Sequence, residues 1–508
     1  MTVMPGRAES YWMDSTEATG YPELTEDIQV DVAVVGAGIV GVSTAWELAK
    51  GGRSVAVLEA DRIVANTTGY TTAKLTSLHT LIYRRLTVSL GPEAARLYAT
   101  SQQDAIGRVH EIAADLGIDC DLETRPAYTY VTEEEGVDSV RAEAEAALDA
   151  GLPAQFVTAG TLPFPIAGAV RVDGQAQFHP RKYLLGLAAD LVANGGLIFE
   201  RTRVMSLEEG RTCRVTTENG HTVTARDVVV ATHYPVFDRG LLMTRLIPHR
   251  ELVVAGVIPE SDDPNGMFIT PEDDTRSVRT APLGDGRRLV IVTGEKFALG
   301  SPGVSDRLWR LVGWTRRVFD VEEITYHWAA QDNVSTDGVP FVGPLHLGSE
   351  HTWVAGGFGG WGMSNGVMAS RLLTALITGA SPPPWADFYT PKRVHLLTEA
   401  PSFVKNSAFV AKEFVAGRLR ASHVDGVADI VPGQGAVMRV NGQRCAVYRD
   451  DDGKVHAVSA TCTHLGCTVG FNDAERTWDC PCHGSRFDVD GNVLHGPAKN
   501  ALESREVS

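Results

Sequence analysis

The chain has 508 residues, of which 44% are hydrophobic, and this length accommodates about three domains with buried cores. Acidic residues outnumber lysine and arginine by 63 to 46, which gives a formal net charge of −17. An acidic surface argues against nucleic acid and anionic membranes as partners. The sequence shows no apolar run long enough to cross a membrane and no signal segment at its start. It therefore predicts a soluble, cytoplasmic protein without a membrane anchor.

The first predicted unit, residues 31–61, is a strand, a helix and a second strand. Its first turn carries Gly36, Gly38 and Gly41 in the spacing of a dinucleotide fingerprint, and its second strand ends at Glu59. The glycines allow the backbone to approach a pyrophosphate, which would face the N-terminus of the helix. A glutamate at this distance can accept ribose hydroxyls and would repel a 2′-phosphate. The unit predicts a site for FAD or NAD rather than NADP.

A second glycine-rich loop lies at residues 356–363. Its spacing also matches the fingerprint, but the helix after it runs into the prolines at 382–384, and no strand ending in an acidic residue follows. We interpret it as a loop that leads into a helix N-terminus. The partial positive charge there would stabilise a reduced, anionic isoalloxazine ring, which favours FAD over NAD.

Residues 28–380 resemble the D-amino-acid oxidase, glycine oxidase and sarcosine oxidase superfamily of FAD enzymes. The family pattern D-G-x-P-x-x-G occurs at 337–343, just before the glycine loop. The resemblance implies an α/β FAD-binding Rossmann-like domain interleaved with an α+β substrate domain. Between 60 and 79, threonines replace the small residues of many members, and His79 is expected to pack rather than to attach the flavin. Besides the fingerprint, the expected FAD contacts are Val204, Ala231, Thr232, Gly338, Gly359, Gly360, Trp361, Gly362 and Met363.

A carboxylate-bearing amine, the kind of substrate this family oxidises, needs a cation for binding. Arg250 and Arg279 are the candidates, and the alternative is that they are ordinary strand-end arginines. Tyr234, His249 and Gln331 are weaker candidates for the same site.

Two further loops, CTHLGC at 462–467 and CPCHGS at 480–485, supply cysteine and histidine in the pattern C-x-H and C-x-x-H. Structural zinc sites more often pair like ligands, as C-x₂₋₄-C and H-x₃₋₅-H. The pattern resembles the Rieske [2Fe–2S] signature, in which two cysteines hold one iron and two histidines the other. The resemblance covers the last 80 residues or so and implies an all-β domain. The implied ligands are Cys462, His464, Cys480 and His483.

The same resemblance implies a disulfide between Cys467 and Cys482, as in the Rieske proteins of cytochrome bc complexes, although a disulfide is unusual in a reducing compartment. Residues 496–498 resemble the proline loop that covers the cluster. Ser485 stands at the position of the family's serine donor to a sulfide. Phe487 replaces the tyrosine of high-potential members, so we expect a potential below theirs, within the range of about −150 to +300 mV.

The predicted domains alternate along the chain. A linker, 381–425, contains a short amphipathic helix in which Val410 and Phe414 share a face. The FAD-binding domain is assigned to 1–89, 166–239 and 326–380, the substrate domain to 90–165 and 240–325, and the Rieske domain to 426–508.

These features predict a dehydrogenase in which a small amine or amino acid reduces FAD by two electrons. The flavin then passes the electrons singly to the [2Fe–2S] cluster, from which an external acceptor, a protein or a small molecule, collects them. Two alternatives stay open. One is an oxygen-using amine oxidase with an auxiliary cluster, and the other is a non-enzymatic redox sensor or electron-transfer adaptor.

Overall fold

The computed structural model of the protein describes residues 4–237, 239–240, 242–272, 274–393 and 426–506. The linker helix predicted around Val410 and Phe414 lies outside the described residues. Within the described ranges, no helix is both long and apolar enough to cross a membrane. The α-helices span Tyr11–Asp14, Ile39–Lys50, Ile82–Leu90, Pro92–Asp115, Val137–Asp149, Pro180–Ala193, Val304–Val318 and Gly362–Thr378.

The fingerprint glycines lie at the edge of a largely parallel sheet of eight strands. Its central strand, Ile28–Val35, pairs in parallel with Val55–Leu58 on one side and with Thr222–Val230 on the other. The apolar runs of these strands are buried because helices cover both faces of the sheet. In spatial order the strands are Phe341–Pro344, Thr352–Gly356, Thr222–Val230, Ile28–Val35, Val55–Leu58 and Leu197–Phe199. Cys213–Thr217 also pairs with Thr222–Val230, and Val204–Glu208 pairs with Cys213–Thr217.

A second, mostly antiparallel sheet of nine strands builds the other half of the flavin-binding part. Three of its strands lie wholly or mostly in the segments 1–89, 166–239 and 326–380 that were predicted to belong to the FAD domain: Lys74–Leu75, Gly168–Gln177 and Glu323–Ser335. A strand pattern fits either sheet, and only the pairing partner decides between them. The order is Glu323–Ser335, Leu246–Pro259, Arg287–Phe297, Arg276–Gly284, Met267–Ile269, Glu123–Val131, Gly168–Gln177 and Lys74–Leu75, with Ala154–Val157 also on Gly168–Gln177.

Residues 426–506 form a separate unit of two small antiparallel sheets, all-β as predicted. Trp478 and Phe487, both 0% exposed, lie in its core together with the cysteines of the two ligand loops. One sheet contains Gln434–Val440, Gln443–Arg449 and Val455–Ser459, and the other contains Gly470–Asn472, Thr477–Asp479, Arg486–Phe487 and Val493–His495.

The C-terminal unit docks on the flavin-binding part through buried polar contacts. Arg250, from the second sheet, forms a two-pronged ion pair with Glu475 and is only 1% exposed. Asp473 accepts a hydrogen bond at 2.9 Å from the backbone N–H of Val304, the first residue of its helix. A carboxylate is favoured there by the unpaired N–H groups and by the helix dipole. These contacts hold the C-terminal unit in one orientation.

Candidate active site

A cavity of about 460 Å³ opens at the carboxyl ends of the central strands of the parallel sheet. Crevices at this edge bind nucleotides because loops and helix N-termini meet there. Nine of the residues predicted to contact the dinucleotide line its wall: Gly36, Gly38, Glu59, Val204, Ala231, Thr232, Gly360, Gly362 and Met363.

The first glycine turn leaves no room for side chains. Gly36 has a φ of 98°, and a Cβ there would lie 2.6 Å from the carbonyl oxygen of Ala231. A Cβ on Gly41 would lie 1.8 Å from the carbonyl oxygen of Gly36. The backbone therefore approaches the cavity closely, at the N-terminus of the helix Ile39–Lys50. A pyrophosphate fits this cradle.

Glu59 directly follows the second strand, Val55–Leu58, and lines the cavity. Its carboxylate accepts hydrogen bonds from the backbone N–H groups of Ala37 at 2.8 Å and Asp61 at 3.0 Å. Burial raises the pKa of Glu59, and these two hydrogen bonds oppose that rise. Each carboxylate oxygen keeps acceptor capacity beyond its backbone partner, so ribose hydroxyls can donate to it.

The second glycine loop is held by the neighbouring strand Glu323–Ser335. The N–H of Gly359 donates to the carbonyl oxygen of Asn333 at 3.0 Å, and the N–H of Gly360 donates to the carboxylate of Asp332. The 17-residue helix that follows begins at Gly362, in the cavity wall. Its N-terminus therefore places partial positive charge in the cavity wall, where it would stabilise an anionic flavin ring.

Two buried polar atoms in this wall, Thr293 Oγ1 and Gln331 Oε1, have no hydrogen-bond partner among the described residues. The two residues are only 5% and 6% exposed. A buried polar atom without a partner is costly, so such atoms point to a ligand with polar groups along its edge. The isoalloxazine ring of FAD has such an edge, and the cavity as a whole fits FAD.

A second cavity, of about 400 Å³, adjoins the first. Of the remaining predicted FAD contacts, Gly338, Gly359 and Trp361 line this cavity and not the first, and Gly41 lines neither. The two cavities share a wall, so a ligand of the second cavity would lie beside a flavin bound in the first. The residues that line both cavities are Thr71, Thr72, His249, Glu251, Thr293, Phe358, Gly360 and Met363.

Two charged groups of the second cavity were missed by the sequence analysis. Lys74 is buried and donates to the carbonyl oxygen of Phe268 at 2.6 Å and to the hydroxyl of Ser277, which leaves one of its three N–H groups for a ligand. Burial, assisted by the charge of Arg279, lowers the pKa of Lys74 to about 7. Burial raises the pKa of Glu251. The only signal for Lys74 was that its segment departs from the family pattern.

The second cavity has an excess of positive charge. Arg85 and Lys296 line it together with Lys74, and Glu251 contributes the carboxylate. No hydrogen bond or ion pair joins Lys296 to another residue in the described part of the chain. These groups can hold a molecule that carries both an amine and a carboxylate, because the carboxylate can pair with the lysines and the amine with Glu251.

Arg250 and Arg279 do not reach either cavity. Arg250 pairs with Glu475 of the C-terminal unit. Arg279 donates to the backbone carbonyl oxygens of Ala73 at 2.7 Å and Thr280 at 2.8 Å, and burial lowers its pKa to about 9. The prediction that they bind a substrate carboxylate is therefore corrected, because both guanidinium groups are already engaged within the fold.

The weaker candidates are divided between the cavities and the packing around them. His249 lines both cavities, Gln331 lines the first, and Tyr234 is buried outside both. The ring of His79 stacks on Trp361 with centroids 4.5 Å apart. Burial lowers the pKa of His79 to about 3, so its imidazole is neutral, and it lines the second cavity beside Trp361.

The two ligand loops have the same local design. In each, the N–H of the first cysteine donates to the carbonyl oxygen five residues later at 2.8 Å, and a glycine with positive φ comes just before that acceptor. The glycine allows the tight turn and thereby fixes the ligands of its loop relative to each other. The hydrogen bonds join Cys462 to Cys467 and Cys480 to Ser485, and the glycines are Gly466 and Gly484.

The four predicted ligands come together as two pairs. Cys462 and Cys480 lie in hydrogen-bond contact, and the Cys480 thiol lowers the pKa of Cys462 to about 7 while its own is raised. Thiolates are the form that binds iron. The rings of His464 and His483 lie 5.0 Å apart, perpendicular to each other. Two cysteines and two histidines in this arrangement fit a Rieske [2Fe–2S] cluster.

Cys467 and Cys482 form a disulfide that joins the two loops, as the resemblance implied. Their sulfur atoms lie within 4.8 Å of that of Cys480, but disulfide sulfurs are not thiolate ligands, so this is not a second metal site. Ser485 accepts a hydrogen bond from the N–H of Ala498 at 3.0 Å, which joins the second ligand loop to the proline loop.

The C-terminal unit forms part of the wall of the first cavity. Its segment 493–499 lines the same space as the fingerprint glycines. Nearby, Gln331 Nε2 donates to the carbonyl oxygen of Gly484 at 2.9 Å. The ring of His483 lies 6.0 Å from that of Tyr234. The FAD cavity and the ligand loops therefore meet at one interface.

The family model described as FAD dependent oxidoreductase matches residues 31–376, and the model of the Rieske [2Fe-2S] domain matches residues 421–506. The chain belongs to the FAD dependent oxidoreductase family. It carries a C-terminal Rieske domain, and its cofactors are FAD and a [2Fe–2S] cluster.

Other proteins share this organisation in whole or in part. The chain is 35% identical over 503 residues to the Rieske 2Fe-2S iron-sulfur protein YhfW of Bacillus subtilis, and the match covers 98% of both chains. The structure is similar to glycine oxidase from Geobacillus kaustophilus, with a TM-score of 0.58, 20% identity and coverage of 72% and 100% of the two chains. It is also similar to L-amino acid deaminase from Proteus vulgaris, with a TM-score of 0.59, 19% identity and coverage of 75% and 97%. At these identities the two structures establish the fold alone.

Proposed function

We propose that this oxidoreductase is a dehydrogenase that oxidises a small amine or amino acid at the FAD and delivers the electrons through the Rieske cluster to an external acceptor. The observation that carries the proposal is the shared interface: segment 493–499 of the Rieske domain lines the FAD cavity. FAD accepts two electrons at once, and the cluster accepts one at a time. Placing the two sites in contact serves electron transfer between them.

The second cavity supports an amine or amino acid as the electron donor. Glu251, in the wall shared with the FAD site, can hold an amine, and Lys74 and Lys296, which line the second cavity alone, can hold a carboxylate. Hydride removal from an amine depends on orientation more than on a strong base. These charged groups orient the substrate, and the unpaired hydroxyl of Thr293 can accept or donate one hydrogen bond to it or to the flavin.

The test is anaerobic mixing of the holoprotein with a panel of amines and amino acids. Flavin bleaching is followed optically and cluster reduction by electron paramagnetic resonance. A variant without a complete ligand set, His464→Ala, is compared with His456→Ala, which removes a histidine of the same domain that pairs with Asp490. We expect one class of substrate to bleach the flavin and the reduced-cluster signal to follow, except in His464→Ala.

Two other outcomes would replace the proposal. Bleaching of the flavin while the cluster stays oxidised identifies an oxygen-using oxidase with an auxiliary cluster. If no amine reduces the flavin, although dithionite reduces both centres, the protein is a redox adaptor that a partner drives.

A further inference from the structure

A chain of hydrogen-bonded side chains crosses from the flavin-binding part into the Rieske domain. It starts at Asp332, whose carboxylate accepts the N–H of Gly360 in the glycine loop. The other carboxylate oxygen lies 3.3 Å from His233 Nε2, and His233 Nδ1 lies 3.2 Å from His495 Nε2. His495 Nδ1 then lies 3.1 Å from Asn66 Oδ1. The chain enters the Rieske domain at His495 and returns to the flavin-binding part at Asn66, so both contacts of His495 cross the domain boundary.

The chain runs along the cavity wall to the surface. Asp332, His233, His495 and Asn66 all line the FAD cavity, and His495 is only 8% exposed. Asn66, at the far end, is exposed. His233 has a φ of 63°, a backbone conformation that is uncommon for residues other than glycine. Such strain persists where the surrounding structure fixes it and clusters at functional sites.

The hydrogen-bonding capacities fix where the protons lie. The oxygen of an amide accepts only, so His495 carries its hydrogen on Nδ1 and accepts at Nε2 from His233. In its protonated form His233 donates at Nε2 to the carboxylate of Asp332 and at Nδ1 to His495, and the side-chain nitrogen of Asn333 lies 3.3 Å from both ring nitrogens. Burial, reinforced by His233, Arg486 and Arg250, lowers the pKa of His495 well below its usual value, in keeping with a neutral ring. The chain thus holds one transferable proton.

The proposed reaction leaves a proton in this cavity. Oxidation of a neutral amine to an iminium ion moves one hydride, which is one proton and two electrons, to the FAD. The cluster takes the two electrons singly and hands them to the external one-electron acceptor. For each substrate oxidised, the proton of the hydride has to leave the cavity by a path of its own.

We infer that His233 and His495 form the proton relay through which this proton leaves the cavity while the electrons pass to the cluster. The His233 Nδ1–H bond breaks as a His495 Nε2–H bond forms, and His495 releases its Nδ1 proton to water beside Asn66. The proton left by the hydride in the cavity replaces the proton that His233 has given up. Exchange with water then returns His495 to the form that carries its hydrogen on Nδ1. The inference rests on the electron path of the proposed function. Besides Asp332, the charged or titratable groups around the pair are His249, Arg250 and Arg486.

The experiment uses the holoprotein after photoreduction, so that no amine is required. It is mixed anaerobically with ferricyanide as the one-electron acceptor, and flavin reoxidation is followed by its visible absorption in light and heavy water. The variants are His495→Ala, His495→Phe and, as a matched control outside the cavity, His456→Phe. The cluster's paramagnetic resonance spectrum and midpoint potential are recorded for each.

Loss of a positioned acid–base group lowers rates by about a hundredfold or more, and we expect that slowing in both His495 variants but not in His456→Phe. Added imidazole should restore the rate of His495→Ala, and the solvent isotope effect of the wild-type protein should disappear in the unrescued variants. The cluster spectrum and potential should stay unchanged. An undiminished rate in His495→Phe overturns the relay. A slow rate in His495→Ala that imidazole does not restore also overturns it, as does a slow rate accompanied by an altered cluster spectrum. Both of these results indicate that His495 has a packing role. If flavin reoxidation is equally fast in the wild-type protein and in His464→Ala, the electron path of the proposed function fails instead.

Discussion

Gln331 and Gly484 form a hydrogen bond across the domain interface, from the side-chain Nε2 to the carbonyl oxygen at 2.9 Å. Gly484 directly follows the predicted cluster ligand His483, and Gln331 lines the FAD cavity. A single side chain therefore spans the distance between the wall of one cofactor site and the loop of the other. The predictions below test this interface and the two sites that it joins.

Gln331→Leu should slow electron transfer from FAD to the cluster. The substitution leaves the buried carbonyl of Gly484 without its partner, at a cost of about 1–3 kcal/mol, and loosens the contact between the two domains. Flash photoreduction of the flavin, with the cluster signal as readout, measures the rate. Gln155→Leu, at an exposed position, is the control. An equal transfer rate in Gln331→Leu and wild type contradicts the prediction.

Glu475→Gln should destabilise the docked protein at neutral pH. Burial alone would raise the pKa of Glu475, but the charges of Arg250 and Arg486 outweigh it and lower the pKa from 4.5 to about 2. The ionised carboxylate thus contributes stability that is complete above about pH 4.5 and is lost as the pH falls toward about 2. Breaking such a buried pair costs about 3–5 kcal/mol.

Thermal unfolding across this acid range checks the Glu475 prediction. The wild-type protein should lose stability steeply between the two pKa values, and Glu475→Gln should show a lower but flatter curve. Glu503→Gln, whose carboxylate is 73% exposed, should behave as wild type. Parallel acid limbs for Glu475→Gln and wild type would refute the role of the ion pair.

Lys74→Met should weaken the binding of carboxylates in the second cavity. The pKa of Lys74 is lowered to about 7 by burial, with Arg279 acting in the same direction and Glu251 against it. A lysine is charged only below its pKa, so the affinity of the wild-type protein for propionate should fall as the pH rises through about 7. Loss of one charge-assisted hydrogen bond corresponds to about a tenfold weaker affinity or more.

Perturbation of the flavin absorption by propionate measures this affinity, and propionamide serves as the uncharged probe. Lys454→Met, on the surface of the Rieske domain, is the matched control. Equal binding of propionate and propionamide, or a propionate affinity that does not change with pH, would argue against a carboxylate site at Lys74.

Phe487→Tyr should raise the midpoint potential of the cluster. Phe487 is 0% exposed and packs in the core that contains the ligand cysteines, and a tyrosine hydroxyl there can donate a hydrogen bond to sulfur. Such hydrogen bonds stabilise the reduced cluster. Redox titration monitored by paramagnetic resonance gives the potential, and Phe471→Tyr, farther along the same sheet, is the control. A midpoint that is the same in Phe487→Tyr and wild type would disprove this account.

Gly41→Ala should yield protein that does not retain FAD. The new Cβ would lie 1.8 Å from the carbonyl oxygen of Gly36, so the turn that cradles the pyrophosphate has to open. Gly313→Ala is the control, because a Cβ there meets nothing within 4 Å. The flavin absorption left after desalting, relative to protein, decides the matter, and full retention by Gly41→Ala would be contrary to the expected role.

The sequence by itself determined the features that depend on short segments. The glycine turn from Gly36 to Gly41 and its partner Glu59 come from one local unit, since a strand, a tight turn and a helix N-terminus need only neighbouring residues. The ligand loops around Cys462 and Cys480 are local in the same way, because each is closed by its own hydrogen bond and its own glycine. Both cofactors follow from these short patterns, and the family models confirm them.

Only the tertiary structure decided which distant residues meet. Arg250 looked like a substrate ligand in sequence, yet its partner Glu475 lies 225 positions away in another domain. Lys74 carried no motif, and its charge matters because nine strands bring it to the second cavity beside Glu251. His233 and His495, 262 residues apart, meet only because the Rieske domain docks on the FAD site. Such contacts depend on strand pairing and domain packing, which a single sequence does not record.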